Sequence, residues 1–386
     1  MKREYNPNLT IQPGPFANSN NVDVTAGSTQ NRFNLRQSGV VIHYRGIGLG
    51  YSNYSHWWGP GFHSSIVLSS NAPGMKTYTL GTFRDLRINK FSIGLKTIIS
   101  PYNSNDGTSL YFSGLATHLT YHSNPTITLG LFRTFLSGNF RDLSSITSMK
   151  EKWTMSDAFR LIFEPLFGQS KSNLDYTVPG TPGFDAWDEV LTGFVNFTFP
   201  EQLLKVYLEI ASDDNRGNLS DLKAHWDHTL GYLIGFRKYL KWNKRKLLIG
   251  SEYLSTKISN TFNPKFFRGY PNTPNYYAKI RYDYFTYKGR RIAAHSGPSS
   301  DELIFVLGYS DQKTSVYFYY NIERHGIKTV SPELKYELSS IINYNITKNN
   351  SVFLNIEYEY INNFGFSKND FSKSTLLWLG YSFSIN

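Results

Sequence analysis

The chain has 386 residues, a net charge of +11 and no cysteine, so disulfide staples, Cys-ligated zinc and thiol catalysis are excluded. Aromatic residues make up 16% of it (28 Tyr, 28 Phe, 7 Trp), yet the mean hydropathy is only −0.38. Its cations are scattered among turns, with no recognition helix or RNA-type aromatic sheet motif, so nucleic acid is not an expected partner.

Residues 1–36 are rich in Asn, Gln, Pro, Gly and Ser and read as a loop-rich N-terminal segment. Met1-Lys2-Arg3-Glu4-Tyr5 is not followed by the run of about 7–15 apolar residues that makes a secretory signal. A signal peptide is therefore expected upstream, with this N-terminus truncated. No stretch reaches the roughly 18 consecutive apolar residues of a spanning helix.

From residue 37 onward, strand-length segments follow one another. The expected strands are Gly39–Arg45, Ser64–Ser69, Phe91–Ile99, Ser109–His122, Thr126–Thr134, Val190–Phe199, Leu203–Ala211, Thr229–Arg237 and Lys246–Ser255. They continue with Asn275–Tyr287, Glu302–Tyr309, Thr314–Ile322, Glu333–Thr347, Ser351–Tyr360 and Ser374–Ile385. Turn formers such as Ser-Asn-Pro at 123–125 and Lys-Asn-Asn at 348–350 separate them.

Within these segments apolar and polar residues alternate. Ala278, Ile280, Tyr282 and Tyr284 share one parity, and Lys279, Arg281 and Asp283 the other. Leu354, Ile356, Tyr358 and Tyr360 likewise alternate with Asn355, Glu357 and Glu359. Successive strand side chains point to opposite faces, so each segment carries an apolar wall and a charged wall. Many such strands in succession predict an all-β fold, a closed transmembrane antiparallel β-barrel of about 16–18 strands over residues 37–386. Its setting would be the outer membrane of a Gram-negative bacterium, among outer-membrane lipids. Gly380-Tyr381-Ser382-Phe383-Ser384-Ile385 resembles the terminal signal read by the barrel-assembly machinery, a partner during biogenesis.

Residues 141–182 break the pattern as a long insertion. Ser156-Asp157 could cap a short helix from Ala158 to Phe167, shortened by Pro165 and stopped by Gly168. A loop of that length is either surface decoration or a lid or plug.

Three segments carry a family resemblance. Trp57-Trp58-Gly59-Pro60-Gly61, followed by Ser64-Ser65-Ile66-Val67-Leu68-Ser69-Ser70-Asn71-Ala72-Pro73, resembles a signature of the Wzi family of outer-membrane capsule-assembly proteins. Trp187-Asp188-Glu189-Val190-Leu191-Thr192-Gly193-Phe194 is similar to a strand start of that family, although Asn196 follows Val195 and the family's Asp after Gly-Phe is absent. Tyr287-Lys288-Gly289-Arg290-Arg291-Ile292-Ala293-Ala294-His295-Ser296-Gly297-Pro298-Ser299-Ser300-Asp301 resembles a later stretch, with Ala294 where Gly is usual. The resemblance implies a barrel of about eighteen strands that holds capsular or exopolysaccharide, an anionic glycan, at the cell surface without catalysis. It also implies a periplasmic helical element, of which residues 1–36 give no sign.

The motif residues have plain readings too. Trp57 and Trp58 belong either to an interfacial aromatic girdle or to a sugar-stacking platform. Arg290 and Arg291 form either a solvated turn or a cationic patch for glycan carboxylates. His63 and His295 complete the candidate glycan contacts. Gly59, Pro60, Gly61, Asn71, Pro73, Asp188, Gly193, Phe194, Gly289 and Asp301 are the candidate structural positions. Lys241, Lys244, Arg245 and Lys246 read as a basic hairpin turn. His63-Ser64 and His295-Ser296 invite comparison with an outer-membrane lipase, but neighbours on a strand face apart, and no Gly-x-Ser-x-Gly elbow or His-x-x-x-His pair occurs. No enzyme, cofactor or metal is therefore expected. The competing reading is a diffusion channel, which single-sign charged rings would favour; the inward charges here are of mixed sign.

Overall fold

A computed structural model describes residues 37–103, 109–138, 187–213, 230–257, 276–277, 285–288 and 290–384. The expected insertion at 141–182 with its helix, the segment 1–36, Gly289, Ile385 and the alternating residues 278–284 lie outside the described residues.

The strands are β1 (Gly39–Tyr44), β2 (Ile47–Ser52), β3 (Thr77–Thr82), β4 (Leu86–Ile88), β5 (Phe91–Asn103), β6 (Ser109–Tyr121), β7 (Thr126–Gly138), β8 (Trp187–Phe199) and β9 (Leu204–Asp213). They continue as β10 (Leu230–Trp242), β11 (Arg245–Ser255), β12 (Thr286–Tyr287), β13 (Arg290–Arg291), β14 (Asp301–Ser310), β15 (Thr314–His325), β16 (Glu333–Asn345), β17 (Asn350–Asn362) and β18 (Phe371–Phe383). Among the described residues, all but β12 and β13 form one sixteen-stranded antiparallel sheet, each strand beside its neighbours in sequence. β3 and β4 both pair with β5 and act as one interrupted strand.

The sheet curves around its own insertions. Trp57 lines the same cavity as Val41 of β1, while His63 contacts Glu302 of β14. Those strands stand ten places apart in the pairing order, about 48 Å across a flat sheet. Six residues of chain reach only about 20 Å.

The outward parity is apolar and exposed: Ile47, Leu49 and Tyr51 on β2; Tyr232, Ile234 and Phe236 on β10; Phe305 and Leu307 on β14; Leu377, Leu379 and Tyr381 on β18. The inward parity is buried and largely polar, with Glu209, Glu252, Glu302 and Glu323 each at most 2% exposed. A water-soluble sheet would show the reverse, so the outer face is built for lipid. Strands of 13 residues such as β5 and β17 extend about 43 Å, and a tilt near 45° reduces that to about 30 Å, the thickness of the hydrocarbon core. Outward ring pairs lie at both ends: Phe91–Tyr121 at 5.0 Å beside the short turns, and Tyr51–Tyr78 at 5.0 Å and Tyr360–Phe371 at 6.5 Å at the other end. Such belts suit the two membrane interfaces. No helix among the described residues is long and apolar enough to cross a membrane, which says nothing of strands.

Two-residue connections such as 45–46 and 243–244 join strands at one end, and the long connections 53–76 and 256–300 leave from the other. In barrels of this kind short turns face the periplasm and long loops the exterior.

Ser64–Ser69 is not a strand. Ile66, Val67 and Leu68 are all buried, so no alternation operates there, and only the isolated bridge between Trp58 and Leu68 resembles pairing. β2, β3 and β4 were not foreseen, because Gly48 and Gly50 dilute the hydrophobic pattern of β2 and the run at Thr77–Thr82 is short and Thr-rich.

Candidate functional site

The first and third motif segments meet inside the sheet. Ser69 donates its N–H to Ile292 O (2.9 Å) and its hydroxyl to Ala293 O (2.6 Å), and Asn71 Nδ2 donates to Arg291 O (3.1 Å). The rings of His63 and His295 meet edge to face at 4.9 Å. These segments leave their strands at one end and fold back into the interior, because their apolar residues gain burial there that a surface loop would forgo.

Wall carboxylates hold the inserted backbone. Phe62 N (2.7 Å), His63 N (3.3 Å) and Ser64 N (2.7 Å) all donate to the Glu252 carboxylate, which also receives the Tyr207 hydroxyl at 2.6 Å. Three successive N–H groups aimed at one anion form a concave nest, and here the anion is supplied by the barrel wall. Ile66 N donates to Glu209 Oε1 (3.3 Å), and Lys205 Nζ donates to Pro60 O (3.0 Å). Gly61 is required in this turn, since a Cβ would strike the Ser64 carbonyl and stand 3.0 Å from Glu252. Gly59 (φ +153°) is constrained likewise by Ser65 and Glu209.

Trp58 is seated on the adjoining wall, formed by β6, β7 and β8. It is 7% exposed, its ring lies 5.7 Å from that of Phe132, and the Phe132 ring lies tilted at 5.2 Å from that of Phe194. A Cβ on Gly114 would come within 2.7 Å of the indole, so glycine leaves the floor on which the ring rests. Phe194, from the second motif, therefore supports Trp58 from the first.

A third cluster joins His63, His295, Glu302, Glu323, His325, Glu333 and Lys335. His63 Nε2 lies 2.6 Å from Glu302 Oε1, and His295 Nε2 lies 3.1 Å from the same oxygen and 3.4 Å from Glu323 Oε1. His325 bridges Glu323 (2.6 Å) and Glu333 (3.3 Å), and Lys335 Nζ reaches Glu323 (3.1 Å), Glu337 (2.9 Å) and Glu359 (3.2 Å). Burial opposes protonation of His295, but the Glu302 and Glu323 carboxylates outweigh it and hold the imidazole well above its usual range. Glu357 and Glu359 face inward, as the alternation predicts.

Between the inserted segment and the inner face of β1–β7 lies a cavity of about 420 Å³, lined among others by Tyr54, His56, Trp57, Lys96, Asp85 and His118. His118 Nε2 stands 3.0 Å from Asp85 Oδ2 at its edge.

The sequence-derived positions divide accordingly. Trp57 opens on the cavity, whereas Trp58 is packed; both face inward, which rules out the interfacial girdle for this pair. Arg291 is 1% exposed, its guanidinium lying against Gly297, and Arg290 is half-buried in the β12–β13 pairing, so neither arginine is fully solvated. His63 and His295 share a buried carboxylate instead of a surface. His63-Ser64 and His295-Ser296 lie in inserted loops, so strand geometry is not what separates each pair. Asp301 pairs with Arg324, whose Nε donates to Oδ1 at 2.7 Å. Asp188 is buried on the inner face, Gly193 sits at an outward position, and Pro73 is exposed. The wall carboxylates Glu209, Glu252, Glu302 and Glu323 were not among the expected site residues. Their signal is an inward Glu near the long-connection end of β9, β11, β14 and β15.

These features define an outer-membrane β-barrel with an internally filled half. The Wzi protein of Escherichia coli, an outer-membrane protein involved in group 1 capsule assembly and a carbohydrate-binding β-barrel, has the same fold at 12% identity. The match covers 92% of this chain and 70% of that one, with a TM-score of 0.61. The DcaP channel of Acinetobacter baumannii (10% identity, 81% of this chain and 86% of that one, TM-score 0.35) and BamA of Haemophilus ducreyi (11%, 87% and 64%, TM-score 0.40) are similar too distantly to inform the function. No family model and no curated protein matches the sequence.

Proposed function

We propose that this chain binds and retains an anionic capsular or exopolysaccharide at the outer membrane of a Gram-negative cell, without catalysis and without conducting solutes. The observation that carries this reading is the filled interior. Two inserted segments cross the long-connection end, fixed to the wall through Glu209, Glu252 and Glu302, where a diffusion channel needs open water. The Wzi-like fold supports a carbohydrate as the ligand.

Trp57 and Tyr54 offer ring faces for sugar stacking, and Lys96 offers positive charge for glycan carboxylates. Burial and the nearby Lys96 hold the His56 imidazole below its usual range, so it offers an Nε2, unpaired among the described residues, for hydrogen bonding. The cavity they line falls within the roughly 300–1,000 Å³ of ordinary ligand sites. Arg290 is a further proposed contact, while Trp58, His63, Arg291 and His295 act by holding the inserted segments. The barrel-assembly machinery and outer-membrane lipids are its proposed partners during biogenesis and in place.

The test is polysaccharide binding by the purified barrel together with capsule retention in a deletion strain. Binding that falls at least tenfold in Trp57→Ala, with capsule shed from the deleted strain, is the expected result. Unchanged capsule and no binding by the wild type would overturn the reading.

A further inference from the structure

We propose that His63, His295 and Glu302 form a binding site for a divalent transition-metal ion of the zinc type, which fastens both inserted segments to the barrel wall. One ligand comes from each insertion, His63 from 53–76 and His295 from 256–300, and the third from β14.

The geometry is that of a ligand set converging on a point. The two Nε2 atoms and a Glu302 oxygen lie within 4.8 Å of one another. Zinc held by His nitrogen and carboxylate oxygen at about 2.0–2.2 Å draws its ligand atoms to comparable spacings. Two imidazole nitrogens with a carboxylate select zinc-like ions over calcium or magnesium, which prefer oxygen alone.

Two further observations separate this from an ordinary ion-pair cluster. His63 Nε2, His295 Nε2 and Asn321 Nδ2 (3.1 Å) all crowd onto the single oxygen Oε1 of Glu302. The other oxygen, Oε2, is buried and has no hydrogen-bond partner, as is Asn321 Oδ1 beside it. Histidines bound only as cations would spread over both oxygens, because a buried unpaired carboxylate oxygen is costly. An ion lying between the imidazoles and the carboxylate would satisfy it. The cluster also sets five carboxylates, the buried Glu302, Glu323 and Glu333 and the half-buried Glu337 and Glu359, around one lysine and three histidines. The His63 and His295 side chains keep 24% and 16% exposure, enough for an ion to enter.

Glu323 and Asn321 stand behind these ligands. Glu323 Oε1 lies 3.4 Å from His295 Nε2 and receives Asn321 Nδ2 at 2.7 Å, so it can orient the imidazole or complete the coordination.

The experiment uses the full chain in detergent, stripped with a chelator and titrated with Zn2+ alone. Metal is counted by mass spectrometry after gel filtration, and affinity is measured by competition with a chromophoric chelator. One zinc per chain is expected, with affinity at least 100-fold lower in the double variant His63→Gln/His295→Gln. X-ray absorption at the zinc edge should show two imidazole nitrogens at about 2.0–2.1 Å. Heat-modifiable migration reports whether the variant folds; if it does not, wild-type stoichiometry and the absorption spectrum decide alone. A wild type that retains no zinc, a folded double variant with unchanged affinity, or a spectrum without imidazole ligands overturns the proposal. None of these readouts depends on polysaccharide binding.

Discussion

The inner wall from β9 to β14 and the inner wall from β6 to β8 hold the inserted chain by opposite means. On the first side the contact is electrostatic: carboxylates of Glu209, Glu252 and Glu302 meet backbone N–H groups and imidazoles. On the second it is steric: the Trp58 indole rests over Gly114 and beside Phe132, with Phe194 behind it. Charge inside a protein is costly unless every partner is in place, so the first wall fixes one position of the segment and tolerates no other. Ring packing supplies burial free energy but discriminates less sharply between positions. The cavity lies on the side of the ring packing, where space has been left, and the Glu252 nest lies on the other.

Substitutions can break this comparison from either side. Trp58→Ala empties the apolar seat and should cost about 3–5 kcal/mol, read as a lowered urea midpoint for the barrel in micelles. Glu252→Ala removes the shared acceptor of three N–H groups and the Tyr207 hydroxyl, which should cost on the order of 3 kcal/mol. It should also open 56–75 to limited proteolysis, and Glu252→Gln, which keeps one acceptor oxygen, should restore part of both. Were Glu252→Ala as stable and as resistant as the wild type, the electrostatic half of the comparison would be wrong. Gly114→Ala places a methyl group against the indole and should destabilise by about 1–3 kcal/mol, with a shift in tryptophan emission. Arg324→Ala breaks an ion pair whose arginine side chain is 53% exposed and should change stability by less than about 1 kcal/mol.

Much of the wall was legible because the strand period is a local property. Phe91–Ile99 grew to β5 (Phe91–Asn103), and Lys246–Ser255 matched β11 within one residue at its start. Inward Glu357 and outward Ile356 followed directly from alternation. The error at Ser64–Ser69 has a physical reason: an apolar core between serines satisfies strand propensity, but burial from every side replaces the two-faced environment that the pattern assumes. The same holds for Trp57 and Trp58, where composition cannot distinguish a lipid interface from an interior. The site itself was only half readable. The motif segments pointed to 57–73 and 287–301, but nothing local shows that residues 63, 295 and 302 share one oxygen. A search for short His-x-x-x-His spacing passes over ligands more than two hundred residues apart.

Planar-bilayer conductance tests the filled interior most directly. The wild type should give no steady ohmic current, whereas Glu252→Ala, whose inserted segment has lost its anchor, should show intermittent openings. A large, steady conductance through the wild-type barrel would contradict the account.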